Sequence, residues 1–473
     1  MTDLKRNLCA ALLCLLLIAA FLCGCGSPAA ENPGAASEPT PEPTAEQPSE
    51  IRLGSLTVSP DVEELDLTGT GTTVEELLNA CDRMTSLKTL CLGVREENLA
   101  QLRAIEAAFP NTAVTWKVIV LGREVLSSAE ELDLSEASDE DIPAVISALA
   151  VLPEVRTLTL AAEDGVTTLS YDSLSALAAA VPEAELNCRF ELYGQTADWT
   201  TEKLKYKKTA IGNDGIDDFR AALPYLRSLT LLRFENCGID DYDKMDALRS
   251  DFPDKGVVWS INISGYTFMT DTTLINDGDS NLLNDYNVGL LRYMHDVLYL
   301  DIGHNHHLTN IDFVRNFPKL QVFVLTLCDF NGDISALENC PDLEFFECHG
   351  TAIGDISVLA DKTKLEYLNI ANLKNLTDLS PLYGLDQLKI VRICGSSFTH
   401  ITQADIAALR EHLPATTNVS DYGGDPNSSG QWRYTVNGDK SKPTERYALL
   451  REQMRYDLNW QQRLSNSPSG EED

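Results

Sequence analysis

Val297-Leu-Tyr-Leu-Asp-Ile302, Leu320-Gln-Val-Phe-Val-Leu325, Leu343-Glu-Phe-Phe-Glu-Cys348, Leu365-Glu-Tyr-Leu-Asn-Ile370 and Leu388-Lys-Ile-Val-Arg-Ile393 are five copies of one pattern. They begin at residues 297, 320, 343, 365 and 388, steps of 23, 23, 22 and 23. Each copy carries a second apolar set further on, such as Ile353, Ile356 and Leu359, or Leu376, Leu379 and Leu382. Self-similarity at this period is the signature of stacked units that bury a continuous core together, so residues 290–414 are expected to form a regular solenoid.

Residues 51–275 hold a second, larger repeat. Its copies are Pro110 with Val114, Trp116, Val118, Val120 and Gly122; Pro182 with Leu186, Cys188, Phe190, Leu192 and Gly194; and Pro253 with Val257, Trp259, Ile261, Ile263 and Gly265. The prolines step by 72 and 71 residues, and each lies 12 residues before its glycine. Period-two alternation makes each run a strand, and the glycine suits a hairpin turn. Ahead of each proline an i, i+3, i+4, i+7 pattern predicts a helix, in Leu99, Leu102, Ile105 and Phe109, in Leu174, Leu177 and Val181, and in Met245, Leu248 and Phe252. Each unit of about 70 residues is expected to read strand, turn, strand, helix, strand, hairpin. This half is then an irregular, helix-backed array.

The ends are different in kind. Lys5 and Arg6 precede an apolar run, Leu8 to Leu22, of signal-peptide length. Leu22-Cys23-Gly24-Cys25 then resembles a bacterial lipobox, which implies cleavage of residues 1–24 and a lipid on Cys25. Two acyl chains on one residue suffice for stable anchoring. Residues 25–50, rich in Pro, Glu, Ala and Ser, read as a disordered tether. A loop at 276–289 is expected to connect the two arrays; Asp277, Asp279 and Asn281 have calcium-loop spacing, but Leu282 and Val288 stand where glycine and glutamate are needed. A helix over 403–412 follows the last copy and stops at Pro414. Within 415–464, residues 415–431 are expected to be a loop, and a helix from about Thr444 to Leu464 to cap the open end of the array. Residues 465–473 are expected to be a disordered tail.

The short copies follow L-x-x-L-x-L-x-x-N/C and resemble internalin-like bacterial leucine-rich repeats, most clearly Thr351-Ala-Ile353-Gly-Asp-Ile356-Ser-Val-Leu359. The chain is similar to leucine-rich-repeat surface lipoproteins of anaerobic Gram-positive bacteria in Trp116-x-Val118, Trp259-x-Ile261, Thr270-Asp271 and the closing Trp432-Arg433 segment. The resemblance implies an α/β solenoid, a horseshoe whose parallel strands line a concave sheet. Cys188 where tryptophan is usual, and Leu373 and Ser396 where Asn or Cys is usual, put local turn geometry in doubt.

In such a sheet the leucines point into the core and the residues between them point out of the concave face. Three outward columns follow. The first is Tyr299, Val322, Phe345, Tyr367 and Ile390; the second Asp301, Val324, Glu347, Asn369 and Arg392; the third Gly303, Thr326, His349, Ala371 and Cys394. Nothing in the fold requires large apolar side chains in the first column, and an exposed aromatic stripe marks a binding surface. The other account is a cover: a flanking loop or the C-terminal helix lying over it.

Other chemistry finds little support. The formal net charge is −35, and −36 without residues 1–24, which argues against a nucleic-acid partner and repels an anionic lipid surface. Twelve cysteines leave eight beyond Cys25, sparse and without a C-x-x-C pair, so they read as small apolar side chains rather than a disulfide or zinc framework. His304-Asn305-His306-His307 could bind a metal, but Asn305 holds the repeat's ladder position and its neighbours are free to be polar. No catalytic signature occurs, and no cofactor is implied. The reading is a non-enzymatic, lipid-anchored extracellular protein that binds a protein or glycan through its concave face. The alternatives are an envelope scaffold without a discrete ligand and, more remotely, a cryptic hydrolase using an acidic pair.

Overall fold

A computed structural model describes residues 50–278, 280–394, 400–421 and 425–459. The leader, Cys25, the tether up to residue 49, Asp279, Ser396, the stretch towards Leu464 and the tail lie outside them. No described helix is long and apolar enough to cross a membrane.

The five copies stack as expected, with one more strand at each end. A seven-stranded parallel sheet runs Leu274–Asn276, Tyr299–Asp301, Val322–Val324, Phe345–Glu347, Tyr367–Asn369, Ile390–Arg392 and Asn418–Ser420 in chain order. Its register aligns Tyr299, Val322, Phe345, Tyr367 and Ile390 as direct neighbours. The central residues Leu300, Phe323, Phe346, Leu368 and Val391 point into the main core and are fully buried. Short 3-10 turns return the chain on the other side, at Asp312–Asn316, Ser335–Asn339, Ser357–Asp361 and Ser380–Leu382. Three of them are started by a repeated Asp-x-Ser: the Asp333, Asp355 and Asp378 carboxylates each accept from the serine N–H two residues on, at 2.8 Å.

A second device repeats with the strands. The residue just before each ladder position is left-handed: His304 (φ 62°), Leu327 (φ 55°), Gly350 (φ 70°) and Asn372 (φ 58°). The turn at Leu373 therefore keeps the geometry of its neighbours despite the unusual residue. Asn305 fills its ladder position completely: its amide donates to Leu283 O and Asp277 Oδ2, and its oxygen accepts from the N–H groups of His307 and Leu308.

The N-terminal array departs from expectation in one regular way. Where each unit was expected to turn between its first two strands, it forms a helix: Val74–Ala80, Ile142–Leu149 and Gly215–Ala222. Each unit is thus strand, helix, strand, helix, strand, hairpin. In the first unit Glu64–Asp66, Thr89–Val94 and Ala113–Val120 pair in parallel, and Arg123–Leu126 returns antiparallel. The hairpins turn on two consecutive positive-φ residues, Leu121-Gly122, Tyr193-Gly194 and Ser264-Gly265, the conformation that matches strand twist. Trp116 and Trp259 are 1 % exposed, and Cys188 at the equivalent position is 0 % exposed, so the thiol keeps the inward site with a smaller group. Trp116 Nε1 donates to Val151 O at 2.8 Å and ties the first unit to the second. A hairpin not foreseen from the sequence, Ile51–Leu53 with Leu56–Val58, packs at the start of the array. The architecture is that of a leucine-rich-repeat solenoid.

Two further expectations need correction. Residues 415–431 are not only loop, because the seventh strand, Asn418–Ser420, continues the ladder there. The C-terminal helix, Glu445–Gln453, does not cap the end of the stack. It lies across the concave face.

Candidate binding face and its intramolecular cover

The first outward column is placed as expected on the concave face but is not open to solvent. Val322 is 0 % and Phe345 3 % exposed, and Tyr299, Tyr367 and Ile390 are half-buried. They form a hydrophobic cluster of their own with Leu274 and Val324, separate from the main core, closed by Trp432, Leu450 and Met454. The Trp432 ring sits 5.1 Å from that of Phe345, which in turn lies 6.2 Å from Tyr367. The Arg446 guanidinium lies over both Phe345 and Tyr367, at 4.7 and 5.5 Å from the ring centres. Of the two accounts the sequence leaves open, the cover is the one found: Phe345 is closed from solvent, and Tyr299 and Tyr367 are half-closed rather than an open platform. Each large apolar group so covered is worth about 1.5–3 kcal/mol, which is reason enough for the segment to close.

The polar members of the second column, and His349 of the third, are engaged by the same segment together with Ser420 of the last strand. The Arg392 guanidinium donates to Ser420 Oγ at 2.7 Å and reaches Asp425 O at 3.4 Å. Asn369 Nδ2 donates to Pro426 O at 3.1 Å, and His349 Nε2 meets Asn427 Oδ1 at 3.0 Å. Arg433 Nη2 donates to Glu347 Oε1 at 3.0 Å, where the Glu347 side chain is 0 % exposed. The Tyr456 hydroxyl donates to Asp301 Oδ2 at 2.6 Å, and Asn276 Nδ2 to Met454 O at 2.5 Å. The segment 425–456 thus lies across the sheet as a strap, its first residues meeting Arg392, Asn369 and His349 and its last meeting Asn276 and Asp301. Gly430 makes this route possible: it has φ 63°, and a Cβ there would collide with the Ser420 side chain.

Electrostatics follow from the closure. Burial pushes the Asp301 carboxyl up to about 6, against the Tyr456 hydroxyl and Gly303 N–H that favour its ionised form. Burial pulls the His349 imidazole below its ordinary value. Burial opposes the charge on Arg433 most, but Glu347, Tyr447 and Tyr456 together outweigh it and hold the guanidinium protonated. Glu347 Oε2 and Arg433 Nε make no hydrogen bond, so the pair is joined at one point only. Burial raises the Tyr456 phenol as well, with Asp301 adding to it. The acidic side chains of this face, Asp301 and Glu347, are closed from any substrate by the strap.

The remaining candidates are structural where the chain describes them. Asp277 accepts from the N–H groups of Leu282 and Leu283 and from Asn305, and so organises the 276–289 loop. His306 Nδ1 meets Asp329 at 2.8 Å, and among the described residues no group of three or more His, Cys, Asp or Glu side chains is placed to hold a metal. The eight described cysteines are free thiols, six of them buried. An open groove of about 870 Å³ lies elsewhere, between the first and second units, lined by Val94, Ile119, Ala148 and Val151 beside the Arg95–Glu97 ion pair.

The sequence offered the C-terminal helix as a cover for this face but named no contact between the two. Its one local signal was Trp432-Arg433-Tyr434, bulky and amphipathic in a stretch otherwise rich in Gly, Asn and Ser.

No family model and no curated protein matches this chain. Solved structures do. An internalin (inlF) of Listeria monocytogenes is 16 % identical over 77 % of this chain and 88 % of that one, with a TM-score of 0.24. A leucine-rich-repeat protein of Leptospira interrogans is 13 % identical over 76 % and 96 %, with a TM-score of 0.27. Internalin C2 of Listeria monocytogenes is 19 % identical over 29 % and 69 %, with a TM-score of 0.22.

Proposed function

We propose that this chain is a cell-surface recognition protein, lipid-anchored at Cys25 on the outer side of a bacterial cytoplasmic membrane, that binds a protein or glycan partner at the concave face of its regular repeats. One observation supports this reading above the others. The concave face carries an aromatic column flanked by buried polar groups, of which Asp301, Glu347 and Asn369 are each met by a specific group of another segment. Trp, Tyr and Arg, the residues that dominate recognition energies elsewhere, make the contacts. The partner would take the strap's place.

A structural role is the second reading, favoured by the same burial: a face closed permanently is a core, and the chain would then be a spacer in the envelope. The test offers the soluble 26–473 chain, with and without substitutions that release the strap, to panels of glycans and of purified surface proteins. Saturable binding to one ligand, at least tenfold weaker in Tyr367→Ala, supports recognition. No retained ligand in either form refutes it and leaves the scaffold. A Cys25→Ala chain that stays with the membrane fraction refutes the anchor.

A further inference from the structure

We propose that the strap, residues 425–456, is a displaceable internal ligand, and that the partner taken by this face is a polypeptide segment presenting a tryptophan followed by an arginine. The inference rests on the recognition reading and narrows it: the occupant in cis is a template for the occupant in trans.

The strap is attached as a ligand is attached. It adds no strand to the ladder after Asn418–Ser420; it holds the sheet through side chains, and through side-chain bonds to its backbone carbonyls at Asp425, Pro426 and Met454. Its contacts divide into an apolar centre of Trp432, Leu450 and Met454 and a polar surround, the arrangement of a protein–protein interface. Its helix is nine residues long, with Leu450 its one buried side chain. A helix of that length is marginal in water without packing partners. Once lifted, the strap has little to keep it ordered, and it gains the chain entropy it gave up on docking.

The polar contacts leave room for a better ligand. Glu347 is fully buried, yet the strap satisfies one of its two carboxylate oxygens, and Arg433 Nε is left without a hydrogen bond. A guanidinium approaching end-on would engage both oxygens, the geometry in which arginine and carboxylate bind best. An external Trp-Arg segment free of the Gly430 bend could reach that alignment while its indole takes the Trp432 place against Phe345. Neutral and acidic glycans offer no cation for Glu347, and an amino sugar lacks the paired donors of a guanidinium, which is why the observations favour a polypeptide.

The test uses the mature chain, the double variant Trp432→Ala with Arg433→Glu, and a labelled synthetic peptide of residues 425–458 as probe. Amide exchange over 445–453 reports strap release, and the melting transition reports the solenoid. The expected result is lost protection over 445–453, an intact solenoid, and peptide binding at least tenfold tighter than to the mature chain, reversed by adding Glu347→Gln. Four results overturn the proposal: a strap still protected in the double variant; a solenoid that unfolds with it, which makes the strap part of the core; a released face that leaves the peptide unbound; or equal binding by closed and released chains. A face that binds this peptide while no surface ligand is ever found would refute the recognition reading and not the displaceable strap.

Discussion

Asp301→Asn should stabilise the closed face, by an amount that depends on pH. Asp301 is 4 % exposed, with Oδ1 accepting from Gly303 N at 2.8 Å and Oδ2 from the Tyr456 hydroxyl at 2.6 Å. An unfolded aspartate titrates near ~3.9, whereas burial holds this one at about 6. Each tenfold change in proton affinity is worth about 1.4 kcal/mol, so ionised Asp301 disfavours the folded state by on the order of 3 kcal/mol. The direction follows from proton counting. Below about pH 4 the group is protonated folded or unfolded and contributes nothing. Between about 4 and 6 the folded chain binds more proton than the unfolded one, so this contribution falls as pH rises. Above about 6 the full penalty is present. Asparagine keeps an acceptor for Gly303, and the rotatable Tyr456 hydroxyl can accept from its amide, so the contacts survive without the charge. Urea unfolding at intervals from pH 4 to 7.5, with exchange over 445–453 alongside, gives the difference between variant and parent. That difference should grow by about 2 kcal/mol from pH 4 to pH 7, since the unfolded carboxyl is already half ionised at pH 4. A difference that stays flat, or shrinks with pH, would refute the reasoning, since other titrating groups are common to both chains. Tyr456→Phe is the converse case: it removes the donor to the carboxylate and should make closure more strongly acid-favoured.

Three further outcomes follow from single positions. Gly430→Ala forces a side chain into a left-handed residue and against Ser420, and should weaken strap docking by about 2 kcal/mol or more; unchanged exchange protection over 445–453 would contradict this. Leu327→Gly relieves a non-glycine left-handed residue whose side chain is 42 % exposed, and should be neutral or stabilising by up to about 1 kcal/mol; a loss above 1 kcal/mol, read by thermal melting, would mean that its packing outweighs the backbone term. Among the eight described thiols, a thiol reagent should reach Cys81 and Cys91 in the native chain and the other six only on unfolding, because burial shields them and raises the Cys188, Cys328, Cys340 and Cys348 thiols in particular.

The regular array was legible because its physics is local and periodic. A leucine displaced by one register would flip to the other face, so Leu300, Phe323, Phe346, Leu368 and Val391 announce the strand alignment that the ladder then shows. The helices that replaced the expected turns were less legible. Val74–Ala80 and Gly215–Ala222 are each two turns long, too short for a periodicity to stand out, and their order comes from packing on the sheet. Cys188 could be placed because its proline-to-glycine frame was shared with Trp116 and Trp259, although its chemistry differs.

The cover over the concave face was legible only as a choice between two accounts, and the second column holds the reason. Tyr299, Phe345 and Tyr367 alone fit an open aromatic platform as well as a buried one. Asp301, Glu347 and Arg392 do not fit both equally, since charged side chains on a concave face acquire full burial only when something opposite satisfies them. The groups that do so are Tyr456, Arg433 and, for Arg392, the Ser420 hydroxyl with the Asp425 carbonyl, which lie 155, 86, 28 and 33 residues away in sequence. No period connects them, because the strap is not a repeat; it is matched to the face by charge sign, hydrogen-bond sense and ring placement. A match of that kind, made without a shared ladder, is one that a segment of another chain could also make, and the released face offered to such a segment is what separates the recognition proposed above from a permanent core.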